Sequence, residues 1–160
     1  RRHQGSQMTR VSVKGVLVGA VVDILATNIV MVPLLAVASV KLGVARLPKA
    51  EQTAAMMSAL QPGSSYYVWA LLLGSACSIL GGYVAARIAK RSEVLNGALS
   101  AILCIAFGLY AFAKGIGGAS PSTHVLFLVL SPVLGSLGGF LRARTGPRGD
   151  VRGATPAAAA

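Results

Sequence analysis

The sequence predicts an all-α integral membrane bundle of four transmembrane helices, built as two parallel helical-hairpin repeats. Three observations carry this. Of 160 residues, 54% are hydrophobic and only 12% charged, with a mean hydropathy of +0.70; a soluble domain carries about 25% charged residues. Four apolar stretches approach the roughly 20 helical residues needed to cross a bilayer core about 30 Å thick. None alternates polar and apolar residues as a barrel strand would, so helices are the remaining way to satisfy the backbone in lipid.

A basic segment, residues 1–13, comes first, with Met8 expected as a natural start and residues 1–7 as an upstream remnant. The transmembrane domain covers 14–144, with spans expected at about 16–40, 66–88, 94–113 and 124–141. Span one also carries "AVAS" (Ala36–Ser39), which fits a signal-peptide cleavage site. Its apolar run is longer than a signal h-region and contains Asp23, Asn28 and Pro33, which favours a retained span. Between spans one and two, Pro48 and the Pro62-Gly63 pair bracket a short helix whose Ala50, Ala54, Met57 and Leu60 form one apolar stripe. It is expected to lie on the membrane surface or to serve as a capped connector. Span four is followed by a basic tail, 145–160, rich in Gly, Pro and Ala and expected to be disordered.

The net charge of +11 is distributed unevenly. Eleven of the fifteen Lys and Arg residues cluster at one set of span ends. They are Arg1, Arg2, Arg10 and Lys14 at the start of span one, Arg87, Lys90 and Arg91 where span two gives way to span three, and Arg142, Arg144, Arg148 and Arg152 at and after the end of span four. The other two connections hold Lys41, Arg46, Lys49 and Lys114. Positive charge is retained on the cytoplasmic side, which predicts cytoplasmic termini and a multi-pass protein of the bacterial inner (plasma) membrane. Tyr66, Tyr67, Trp69 and Tyr110 are then expected at the outer interface, Tyr83 and Phe140 at the inner one. Basic residues at span ends indicate anionic lipid headgroups as partners, not nucleic acid.

Two helix ends repeat a pattern: "LGGYVAAR" (Leu80–Arg87) and "LGGFLRAR" (Leu137–Arg144). Stepping by four gives Gly74, Ser78, Gly82 and Ala86 in span two, and Ser131, Gly135, Gly139 and Ala143 in span four. Residues four apart share a helix face, so each row is a seam of small side chains on which another helix can approach closely. Spans one and three begin with the looser matches "KGVLVGA" and "NGALSA", which suggests two hairpins related by an axis along the membrane normal. The pair Gly81 and Gly82 is therefore expected to serve helix contact and not ligand binding.

The stretch "GGYVAARIAKRSEVLNGA", residues 81–98, resembles an uncharacterised family of small four-span bacterial membrane proteins. Their pattern joins a Gly-Gly-Tyr-x-Ala-x-Arg helix end to an Asn-Gly-Ala helix start. The resemblance implies a four-helix membrane fold and no established activity.

No constellation for catalysis emerges, and no metal or cofactor is expected. His3 and His124 stand far apart in the sequence, and Cys77 and Cys104 read as small packing residues. "KGIGGAS" (Lys114–Ser120) lacks the order of a phosphate-binding loop and reads as a glycine-rich turn. Asp23 stands out. It lies about seven residues into span one, roughly 10 Å deep at 1.5 Å per residue, where a charge is costly unless it faces the bundle or water. Gly15, Gly19, Asp23 and Thr27 share a face, expected to pack on spans two and four, and Asn28 is adjacent. Asp23, Thr27 and Asn28 are candidates for an ion or proton site, against a structural hydrogen-bonded carboxyl. The leading functional expectation is a non-catalytic module assembling with itself or a membrane partner through its seams; the alternative is a small transporter or channel subunit using Asp23.

Overall fold

A computed structural model of the chain describes residues 11–114 and 121–145. The first ten residues, most of the glycine-rich turn after Lys114 and the C-terminal tail lie outside the described residues. The order of elements is α1 (Val13–Lys41), a 3₁₀ turn (Val44–Arg46), α2 (Lys49–Ala59), α3 (Ser65–Ala89), α4 (Glu93–Ala113) and α5 (Pro121–Thr145), with no strand among the described residues. Four of these, α1, α3, α4 and α5, are long and apolar enough to cross a membrane. The protein is an all-α, multi-pass membrane bundle.

The helices begin and end where local chemistry dictates. The Ser12 hydroxyl accepts from the Gly15 amide and Ser64 accepts from Tyr67, each satisfying a donor that the first turn leaves open. α5 starts at Pro121, earlier than the sequence suggested, because proline is suited to the first helical position. It also runs on to Thr145, carrying Arg142 and Arg144 in its last turn, where cations suit the negative end of a helix. Pro33 and Pro132 both lie inside continuous helices. α2 is joined to its neighbours through Gly43 (φ +63°) and Gly63 (φ +102°), backbone conformations that side-chain-bearing residues rarely adopt.

α3 and α4 touch each other, and α1 and α5 flank them, each packing on both. The face Gly15–Gly19–Asp23 meets α3, and α1 also packs on α4; it does not pack on span four as expected, because α5 occupies the far side of the central pair. The two hairpins, α1 with α3 and α4 with α5, run in the same direction. Their outer faces are packed differently: α3 packs on α4, while α1 and α5 make little contact.

The core is made of the smallest residues. Ala20, Ala85, Ala86, Ala89 and Ala101 are buried, together with Gly15, Gly19, Gly81, Gly82, Gly97, Gly135, Gly138 and Gly139. The large apolar side chains, among them Leu25, Ile29, Val32, Val40, Val129 and Val133, point outward. In lipid this inversion costs nothing: hydrocarbon tails solvate Leu as well as a core does, so helices associate through close packing of small residues.

Candidate functional site

Successive residues of a helix are about 100° apart around its axis, so a Gly-Gly pair can face two neighbours at once. A Cβ on Gly81 would come within 2.7 Å of the Asp23 Cβ and 2.8 Å of the Gly19 carbonyl oxygen, both on α1. One on Gly82 would collide with the Gly135 backbone on α5. In α5, Gly138 abuts Ile79 and Tyr83 of α3, whereas Gly139 abuts Glu93 and Val94 of α4. The first glycine of the α3 pair serves its own hairpin partner; in α5 the second one does.

These contacts lock only one half of the bundle, the half ending in Lys14, Arg87, Lys90, Arg142 and Arg144. The two seams run out of it at both ends. Ala143 is exposed, beyond the packed region. At the other end, a Cβ on Gly74 would meet nothing closer than the Met31 Cε at 3.9 Å. Gly74, Ser78 and Ser131 line a cavity of about 450 Å³. The helices separate where the glycine contacts stop.

The cavity has a polar floor and apolar walls. Asp23 stands at the floor, only 6% exposed, its backbone held against Gly81 by the close approach of α1 and α3. Its Oδ1 accepts long hydrogen bonds, 3.4 Å each, from Thr27 Oγ1 one turn on and from Ser78 Oγ of α3. The Cys104 thiol of α4 also lies against the carboxylate and reaches the Ala20 carbonyl oxygen at 3.7 Å. Above this floor the walls are Ile24, Met31, Leu71, Ile105 and the rings of Tyr67, Phe107 and Phe127. Leu60, just past α2, contributes at the end remote from the floor. From Ser78 to Tyr67 along α3 is eleven positions, so the cavity is roughly 16 Å deep at 1.5 Å per residue.

Of the three candidate residues, Asp23 and Thr27 come together. Asn28 also borders the cavity, but its side-chain amide donates to the Ile24 carbonyl oxygen of its own helix at 2.7 Å. Ser78 was legible only as a packing residue and Cys104 only as a small apolar one; their place beside Asp23 depends on how three helices meet. No Lys, Arg or His is among the described residues lining the cavity, and no group of three or more His, Cys, Asp or Glu that could hold a metal is found among the described residues.

A second buried polar group lies outside the cavity. Asn96, in the first turn of α4, is fully buried; it accepts from the Ser12 amide and donates to the carbonyl oxygens of Arg91 and Ser92. Its "NGA" context marked a helix start, and the sequence carried no signal that it would bridge to α1.

Fold and site together define a polytopic helical membrane protein with a carboxylate inside its bundle. No family model, curated protein or solved structure matches the chain.

Proposed function

We propose that this is a non-catalytic protein of the bacterial plasma membrane, with both termini cytoplasmic, that binds a cationic species or a proton at Asp23 as a small transporter or channel subunit. The observation that carries this reading is a carboxylate 6% exposed at the floor of a cavity, with no basic side chain among the described lining residues. A charge in a membrane interior is costly unless a partner balances it, and here the described lining residues offer hydroxyls and a thiol but no cation. That absence among the described lining residues supports a proton or a bound cation as the balancing charge. With the basic end cytoplasmic, the cavity belongs to the outer half of the membrane, and the basic rim holds anionic lipid headgroups.

Self-assembly through the small-residue seams is the weaker reading. Gly82, Ala86, Gly135 and Gly139 are buried against the chain's own helices. A second copy or a membrane partner would have to use the large lipid-facing side chains instead. The test is proton and cation flux into proteoliposomes with wild type beside Asp23→Asn, the assembly state of both being checked. Flux lost in an intact Asp23→Asn protein supports the proposal; equal flux, or none in either, removes it.

A further inference from the structure

We infer that the cavity above Asp23 takes a lipophilic ammonium cation, a positively charged nitrogen on an apolar body, in preference to a bare metal ion. The inference rests on the reading of Asp23 as the ligand-binding group and assigns that group a ligand class. A hard cation such as Ca²⁺ collects about six to eight oxygen ligands. The floor offers one carboxylate with the hydroxyls of Thr27 and Ser78, fewer oxygens than such a shell needs. The walls above are apolar over most of the roughly 16 Å depth, and an ion stripped of water there would meet Leu71, Ile105 and Met31.

A lipophilic ammonium matches both parts. Its charge pairs with the carboxylate, which has no basic partner among the described lining residues. Its apolar body fills space that water would occupy poorly. Tyr67, Phe107 and Phe127 add aromatic rings, a side-chain class that attracts cations and packs against aromatic substituents. A volume of about 450 Å³ lies within the range of small-molecule sites, roughly 300–1,000 Å³. The site is also preformed, because Asp23 is fixed by the contact of its own Cα and Cβ with Gly81 and cannot withdraw from the floor without parting α1 from α3.

The experiment uses two probes of one shape: benzyltrimethylammonium and its neutral isostere neopentylbenzene. Binding of each is measured by equilibrium dialysis on purified, detergent-solubilised protein, wild type and Asp23→Asn. Sodium and potassium ions are titrated as competitors. The expected result is saturable binding of the ammonium to wild type, weakened about tenfold or more in Asp23→Asn through loss of a charge-assisted contact. The isostere should bind both proteins alike, which also shows the cavity intact in the variant. Equal ammonium binding by the two proteins, no saturable ammonium binding to wild type, or full displacement by millimolar sodium overturns the ligand class. If the class fails while flux still depends on Asp23, the broader proposal stands and a proton or inorganic ion is the species bound. If flux is also indifferent to Asp23→Asn, both fall.

Discussion

Asn96 accepts a hydrogen bond of 2.7 Å from the backbone amide of Ser12, tying the residue before α1 to the first turn of α4 across 84 positions of sequence. The same side chain donates to Arg91 and Ser92, so one buried amide fixes both the entry of α1 and the turn between α3 and α4. Asn96→Ala removes these bonds and takes its acceptor from the Ser12 amide. It should lower stability by about 2 kcal/mol, the scale for an orphaned buried donor. Asn96→Asp should be worse, since it keeps the acceptor but points oxygen at two carbonyl oxygens. Thermal unfolding in one detergent ranks the three proteins; an Asn96→Asp as stable as wild type contradicts the assignment.

The α3 seam gives a sharper contrast, because two of its glycines have opposite surroundings. Gly82→Ala places a methyl group against the Gly135 backbone, which cannot rotate away as a side chain would. Overpacking of this sort costs about 1–3 kcal/mol. Gly74→Ala meets only the flexible end of Met31 at 3.9 Å and should be neutral or slightly stabilising. A glycine seam uniform along its length would penalise both variants equally in the same unfolding assay.

How far the sequence reached follows from what each feature depends on. The four spans were legible because lipid imposes one requirement on every residue between two interfaces, and composition alone reveals it. The interval of four located Gly82, Ala86, Gly135 and Gly139 on faces that are buried. It did not show that Gly81 turns to a different helix from Gly82, because a periodicity gives a direction but not the number of neighbours. The cavity was illegible for a related reason. Gly74, Ser78 and Ser131 are as small as the residues below them, and only the divergence of the helices separates a lining residue from a packed one. Asp23 announced itself by its cost in a membrane, whereas Ser78 and Cys104 acquire their role only from helices on which they are otherwise unremarkable.

The turn between α3 and α4 holds an unfavourable backbone that can be relieved. Lys90 ends α3 in the left-handed region (φ 54°, ψ 13°), with its amide bonded to the Ala86 carbonyl oxygen at 3.1 Å. Glycine is the usual residue at such a helix end because it has no Cβ to clash. Lys90→Gly should therefore stabilise the protein by about 0.5–1 kcal/mol. Lys90→Asn, which also tolerates this conformation, should fall between glycine and lysine and separates the backbone effect from loss of the charge. If Gly and Asn variants are both less stable than wild type in the detergent unfolding assay, the lysine side chain contributes more than its backbone costs.

The two cysteines offer a readout of the cavity that needs no transport assay. Cys77 is buried, and Cys104 is half-buried on the cavity lining beside Asp23. A small uncharged thiol reagent should modify the Cys77→Ala protein, which retains Cys104, faster than the Cys104→Ala protein, which retains Cys77. Reaction requires the thiolate, so the two variants are compared at one pH and their ratio is the informative quantity. A cationic occupant paired with Asp23 would stand over Cys104 and slow its modification without changing that of Cys77. Competition of this kind should weaken as the pH falls, because protonating Asp23 removes the charge that holds the occupant; among the described residues, Cys104 is the titratable side chain in contact with Asp23 from a neighbouring helix. A Cys104 modified no faster than Cys77 contradicts the expected access of the reagent to the cavity lining. Protection of Cys104 that survives in Asp23→Asn would place the occupant in the apolar walls alone, held without the carboxylate.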